Sequence, residues 1–494
     1  MRDAETRVKC MKNRIQEVLH WRGVIGRHAY LSMGIILFAL KFAIDWLVAT
    51  VIFKKPWTPY NYVKPSELVG GIVSLDSNER NFYLTMAATA VPFIWVGVGL
   101  TLQRLRDAGL PLWLVIVFFA PMPINLIFFV VLACLSSKLL VLELDKPGGI
   151  GLELDPEFTS KVKGVGSRHS SQSAANEPST MLQGFYTLGV VLPVSLALMF
   201  FSVRGLRQYG WGVFLGIPFA GPMTTVILFG LRGRRSFGQC MAMGLLWVVG
   251  MFFALLITAF EGAVCLIMML PILLPISLMG ALVGYAIQAI ATHKRDIAGL
   301  CLALAFLLPG LMGAEVVFCP PAPIFEANTT IEIDAPPEVV WNHVVSFSEL
   351  PPPDDWLFQT GIAYPVRAEI SGHGPGAIRR CIFSTGPFVE PIEIWDEPRL
   401  LRFKVTSCPA PMREWNPFYE IDPPHLQNFL VARRGEFRLI ALPGGRTRLE
   451  GTTWYQHHMW PAGYWQVWSS PIIERIHMQV LKHIKRLAEL EAKQ

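Results

Sequence analysis

A carboxylate and an imidazole, the pair best suited to moving a proton beside a carbonyl, stand in the last third of the chain as Glu390 and His457. Held together in a closed pocket, they would act as general base and acid for a cyclisation or dehydration. Alternation is what suggests a shared pocket. In TRLEGTTWYQH (447–457), Leu449, Gly451, Thr453, Tyr455 and His457 fall on one face of a strand, and Leu449 marks that face as inward. By the same rule Phe403 with Val405, Phe437 with Leu439, and Ile392 with Ile394 point inward, which carries Glu390 and Arg433 inward at strand ends. Arg380 lies between Ile378 and Ile382 and is assigned the same face. The expected site is a curved apolar surface with Arg380, Glu390, Arg433, Tyr455 and His457 at its margin, suited to a hydrophobic guest. A surface position at a fraying strand end is the alternative for each of the five.

Other chemistries lack their residues. His457 and His458 are adjacent on a strand and point to opposite faces, and His477 and His483 are six apart on a helix and diverge. The eight cysteines form no CxxC pair, and HExxH, P-loop, GxSxG and Gly-rich dinucleotide signatures are absent, so neither a metal nor a cofactor is expected. Cys381 and Cys408 would pair only in an oxidising compartment; two free thiols are the other reading. Lys41 and Asp45 stand at i and i+4 inside an apolar span, where they neutralise each other or serve ion movement. Glu261 adjoins Gly262 between two apolar stretches, which a short loop explains.

The elements that would position the pocket follow from periodicity. Ile331 and Ile333 share a strand face, Asp334 is placed to cap a helix, and Val339, Val340 and Val344 recur at helical spacing. Strand-like runs follow at about 366–372, 376–385, 388–396, 399–407, 429–441 and 446–458, and 464–492 is a long helix with Ile473, Ile476, Val480, Ile484 and Leu487 in one stripe. The insertion at 408–428, rich in proline and aromatics, either covers the pocket, touches the membrane through Trp415, Phe418 and Tyr419, or packs as a surface loop.

The rest of the chain is too apolar for water. Of 494 residues 52% are hydrophobic and 16% charged, and the net charge of +6 collects beside apolar runs, which suits membrane orientation and not nucleic acid. A bilayer core about 30 Å thick needs about 20 apolar residues in a helix. Eight stretches approach that, near 31–53, 82–103, 110–135, 181–203, 211–231, 239–260, 262–290 and 297–318. The third, interrupted by Pro121-Met122-Pro123, and the seventh, with Pro271 and Pro275, should be kinked or broken. Residues 1–27 carry many basic residues and no cleavable apolar core, so the first span is expected to act as insertion signal with the N-terminus inside. Arg232, Arg234, Arg235, Lys294 and Arg295 ask for two later loops inside as well. Both demands are met if 110–135 dips in and returns, which leaves the C-terminal domain extracytoplasmic; eight full spans would leave it in the cytoplasm. The expected architecture is a polytopic α-helical membrane region followed by an α+β domain: a membrane domain at 1–140, a linker at 141–180, a second membrane domain at 181–320, and a soluble domain at 325–494.

Three resemblances attach to these motifs. A Gly-Arg entry to the first span (HWRGVIGRHAY, 20–30) and QRLRDAGLPLW (103–113) resemble the bacterial membrane family called domain of unknown function 805. This implies a bacterial inner-membrane domain without an established activity. Arg106 departs from the family's usual histidine, and Arg104, Arg106 and Asp107 are expected at the bilayer interface, meeting lipid phosphates or capping a helix. The second membrane module resembles, more weakly, the membrane portion of large-genome bacterial proteins through YGWGVFLGIPF (209–219) and LMGALVGYAIQ (278–288), whose glycines serve close helix packing. The C-terminal domain, through IEIDAPPEVVW (331–341) and the late strand before a long helix, is similar to the START-like, SRPBCC or polyketide-cyclase helix-grip superfamily. That resemblance implies a cavity for a lipid, polyketide or other hydrophobic molecule. Membrane lipids and such a ligand are the expected partners, with cyclase or dehydratase chemistry, transport, and a structural role as alternatives.

Overall fold

Apolar runs of this length must satisfy their backbone groups internally, and in the computed structural model they do so as helices. The structure describes residues 23–58, 61–62, 77–121, 124–137, 180–288, 294–318 and 321–494. The basic N-terminal stretch to residue 22 and most of the expected linker lie outside them. Seven described helices are long and apolar enough to cross a membrane: Arg27–Ile52, Asn78–Ala108, Thr180–Gly205, Gly212–Phe229, Phe237–Ile257, Ala263–Gln288 and Ile297–Val317. Their regular parts are α1 (Arg27–Leu47), α2 (Ser77–Ala108), α4 (Thr180–Phe200), α5 (Ile217–Phe229), α6 (Phe237–Ile257), α7 (Ala263–Gln288) and α8 (Lys294–Val317).

The third stretch is different. It consists of a 3-10 segment, Leu112–Phe119, and a short helix α3, Ile124–Cys134. Each piece is roughly 16 Å long, half a bilayer core. The end of α3 returns to the end of α2: Arg104 Nε donates to the Leu132 carbonyl at 2.9 Å and its guanidinium also bonds the Leu135 carbonyl and Asp107, while Ser137 Oγ donates to Asp107 at 2.6 Å. The two ends of segment 110–135 therefore lie side by side. Arg104 is fully buried and caps the orphan carbonyls at the end of α3, which corrects the expectation that it meets lipid phosphates. Gly97 makes the dip possible, since a Cβ there would lie 2.7 Å from Phe118.

The seventh stretch, expected to be kinked or broken, is not broken. α7 runs unbroken through Pro271 and Pro275, as helices within a membrane bundle tolerate. Its glycines let it press onto α5: a Cβ on Gly280 would fall 2.1 Å from the Phe219 carbonyl oxygen. In α1, Asp45 is paired with Lys41 and accepts Tyr62 Oη at 2.5 Å and Thr89 Oγ1 at 3.3 Å, so its charge is satisfied within the bundle.

The C-terminal region is a seven-stranded antiparallel sheet in the order β1-β7-β6-β5-β4-β3-β2. The strands are β1 (Ile324–Ile333), β2 (Pro365–Ser371), β3 (Ile378–Phe383), β4 (Gly386–Asp396), β5 (Leu400–Lys404), β6 (Leu430–Leu442) and β7 (Arg446–His457). Short helices α9 (Pro337–Val345) and α10 (Trp356–Gln359) precede β2, and the 30-residue α11 (Ala462–Glu491) closes the fold. Val480, Leu481, Ile484 and Ala488 of α11 pack with Ile333, Leu401 and Leu449 of the sheet, giving the helix-grip architecture. The cap of α9 is Pro336 and not Asp334, whose backbone N–H instead reaches Glu489 Oε1 at 3.0 Å.

Candidate functional site

Sheet and helix part between Trp465 and Val480 of α11 and enclose a cavity of about 230 Å³. Its wall is mostly apolar, with Phe383, Phe388, Phe403, Phe437, Ile472 and Ile476 among the lining side chains. The lining residues Trp465 and Val480 are separated by roughly 22 Å of helix, so the space is elongated along α11.

Of the sequence candidates, Glu390, Tyr455 and His457 line the cavity. Arg380 and Arg433 do not; both side chains are exposed. For Arg380 the inward face was assigned one residue out of step. Ile378 is the outward residue, and Arg379, Cys381 and Phe383 line the cavity. For Arg433 the cause is a β-bulge between Ala432 and Arg434, which breaks the alternation on β6 so that Arg433 turns out to bond Gln456 at 2.7 Å.

Arg379 is the charged group sequence parity missed. Register sets it opposite Glu390, and the two form a buried ion pair. The guanidinium lies 5.6, 5.4 and 5.5 Å from the ring centres of Phe347, Phe403 and Phe437, held by cation–π attraction on three sides. Burial pushes the Glu390 carboxyl upward, opposed by the charge of Arg379. Burial likewise pushes the neighbouring Cys381 thiol up to about 12. Cys381 and Cys408 are both free.

His457 belongs to a separate network. It shares a hydrogen bond of 2.8 Å with Ser469 Oγ, which donates to Tyr455 Oη at 3.1 Å; Tyr455 in turn meets Ser470 Oγ at 2.7 Å. Burial, with the neighbouring His458, brings His457 down to about 3. Glu390 is bonded to Arg379 and His457 to Ser469, so the acid–base couple expected from the sequence is not joined by a hydrogen bond.

One end of the cavity belongs to the membrane region. Cys265 and Met268, in the first turns of α7, line it together with Met459 and Trp465. The contact is built by the insertion and by the start of α11. Ala263 N donates to the Trp415 carbonyl at 2.8 Å, Asn416 Nδ2 to the Leu256 carbonyl at 2.9 Å, and Trp460 N to the Tyr209 carbonyl at 2.8 Å. Glu261 does sit in a short loop, as expected, yet the overlying domain buries it to 3% exposure and Tyr209 Oη donates to it at 2.7 Å. Trp415, Phe418 and Tyr419 remain exposed beside this junction.

Residues 18–139 match the family model described as protein of unknown function DUF805. No curated protein matches the chain. Among solved structures, a norcoclaurine synthase point mutant of Thalictrum flavum in complex with a transition-state analogue is 13% identical, covering 35% of this chain and 99% of that one with a TM-score of 0.24. The aromatase/cyclase Zhui of a Streptomyces species is 14% identical over 35% of this chain and 94% of its own, TM-score 0.22. A protein of Nitrosospira multiformis is 15% identical over 34% and 100%, TM-score 0.22. Over residues 18–139 the N-terminal region is thus similar to that family, and the C-terminal region is a seven-stranded antiparallel sheet that grips a long helix.

Proposed function

We propose that this multi-pass membrane protein binds a hydrophobic small molecule or lipid in the cavity of its C-terminal domain. The observation that carries the reading is the position of Cys265 and Met268: the apolar cavity of a soluble fold ends on a helix long and apolar enough to cross the bilayer. A guest could pass between lipid and cavity without crossing open water. At about 230 Å³ the space is below the 300–1,000 Å³ usual for drug-sized ligands, so a single acyl or prenyl chain or a compact ring system fits better than a two-chain lipid. Trp415, Phe418 and Tyr419 suit the headgroup level, where amphipathic rings concentrate. The topology proposed with this reading has seven crossings and cytoplasmic basic loops, with this domain outside the cytoplasmic membrane of a bacterium.

The test is solvent extraction and mass spectrometry of the purified protein, comparing wild type with Ala432→Phe, which projects a ring from β6 into the space. Wild type should carry a lipophilic molecule, and the variant at least tenfold less, equivalent to about 1.4 kcal/mol. Equal amounts in both would overturn the reading. So would an empty wild-type protein showing no thermal shift with fatty acids, prenyl alcohols or aromatic polyketides.

A further inference from the structure

Where the insertion meets α7, three residues far apart in the chain bring ligand-type atoms together. Cys265 Sγ lies 3.0 Å from His425 Nε2, which is 3.9 Å from Glu414 Oε1, and the ligand atoms of all three lie within 4.8 Å of one another. Behind them, Glu261 Oε2 stands 2.9 Å from the other ring nitrogen, Nδ1, off the line of a hydrogen bond, and its Oε1 accepts Tyr209 Oη at 2.7 Å. We propose that Cys265, Glu414 and His425 form a binding site for a divalent transition metal, zinc by ligand chemistry, which pins the C-terminal domain to the membrane region.

Four observations support it. The first is composition: thiolate, imidazole and carboxylate are the zinc ligand set, and three protein ligands leave a fourth position open. The second is spacing. Tetrahedral zinc with its usual bond lengths of about 2.0–2.3 Å separates ligand atoms by roughly 3.5 Å; the observed 3.0 and 3.9 Å bracket that value. The third is the shell behind the ligands. A metal-bound histidine commonly offers its other nitrogen to a carboxylate, and Glu261, itself fixed by Tyr209, occupies that place. The fourth is unmet demand. Glu414 Oε2 is buried without a hydrogen-bond partner, its side chain 0% exposed. Glu414 Oε1 accepts the Cys265 backbone N–H at 3.1 Å, and among the described residues the two carboxylates have ion pairs only with His425, so two buried carboxyl groups share one imidazole. A divalent cation would give the unpartnered Glu414 Oε2 a partner. Cys265 and His425 also line the cavity, so the site adjoins it.

The site stands whether or not the cavity holds a lipid, and its test reads metal alone. Full-length protein purified in detergent without chelator should retain about one equivalent of zinc per chain by elemental analysis. Exchange with cobalt(II) should give the near-ultraviolet charge-transfer absorption of a thiolate ligand. Cys265→Ser should abolish that absorption, and Glu414→Gln should lower retained zinc at least tenfold, while Cys301→Ser on α8 leaves both unchanged. A metal-free wild-type protein that takes up neither zinc nor cobalt would overturn the proposal. So would a cobalt–thiolate absorption surviving in Cys265→Ser. Because the cobalt signature is read first on the unsubstituted protein, misfolding of a variant cannot hide the answer.

Discussion

The buried pair Arg379–Glu390 illustrates how a single position decides a cavity's chemistry. A charge removed from water is expensive unless its partner stays, and taking away one member of such a pair costs about 3–5 kcal/mol. Glu390→Ala should therefore destabilise the domain by about that amount in chemical unfolding, since Arg379 would remain walled in by Phe347, Phe403 and Phe437. The double replacement Arg379→Met with Glu390→Leu removes both charges and should recover most of the loss. If the double variant is no more stable than Glu390→Ala alone, the pair is not the source of the cost. The sequence led to Glu390 and to the neighbour of its partner. Alternation names a face only relative to an anchor, and Ile378, taken as that anchor on β3, is the outward residue. On β6 no anchor would have sufficed, because the bulge beside Arg433 leaves no mark in residue type. The proposed metal ligands were hidden for another reason: 149 and 160 residues separate Cys265 from Glu414 and His425, so no local spacing could signal them.

At the scale of elements, hydropathy and alternation found the seven described helices that are long and apolar enough to cross a membrane and the seven described strands, because period and length are local properties. Segment 110–135 was legible as irregular, and the charge pattern suggested that it dips in and returns; what would hold such a turn was not legible. Its return is fixed by Arg104 reaching carbonyls at the end of α3, a contact between elements. Contact between α11 and the sheet has a further consequence in acid. His457, bonded to Ser469 of α11, is brought down to about 3 by burial and by His458. Burial brings His477 of α11 down to about 4; it lies 2.8 Å from Thr453 Oγ1 of β7 and 3.3 Å from Thr329 Oγ1 of β1. Both are neutral in the folded domain and take up protons on unfolding below about pH 6.5. A lowered folded value means that their contribution is complete above the unfolded pKa and is lost as pH falls toward the folded one. Thermal unfolding should therefore drop steeply between about pH 6.5 and 4. His457→Gln and His477→Gln should each flatten that slope, and an unchanged slope in both variants would show that other groups control acid unfolding.

For the whole molecule the question is on which side of the membrane the cavity lies. Contacts among loops constrain the answer. Gln183 at the start of α4 bonds the Phe229 carbonyl at the end of α5, and Gln288 at the end of α7 accepts from Arg235 N, so those ends share one side with Arg232, Arg234 and Arg235. On the opposite side, the C-terminal domain meets the Tyr209 and Glu261 loops, and Glu315 near the end of α8 bonds Gly212 N at 2.8 Å. If the seven described apolar helices all cross and 110–135 returns, the chain changes sides an odd number of times, and the proposed orientation has the basic loops in the cytoplasm. Alkaline phosphatase fused after residue 494 should be active, and a fluorescent protein placed there by the same export route should be dark. The same two reporters in the 230–236 loop should give the reverse. Phosphatase activity at the loop with fluorescence at the C-terminus would invert the whole assembly and bring the cavity to the cytoplasmic leaflet. Fluorescence at both positions would conflict with the loop contacts themselves, since it would require the C-terminal domain to leave the Tyr209 and Glu261 loops against which it packs.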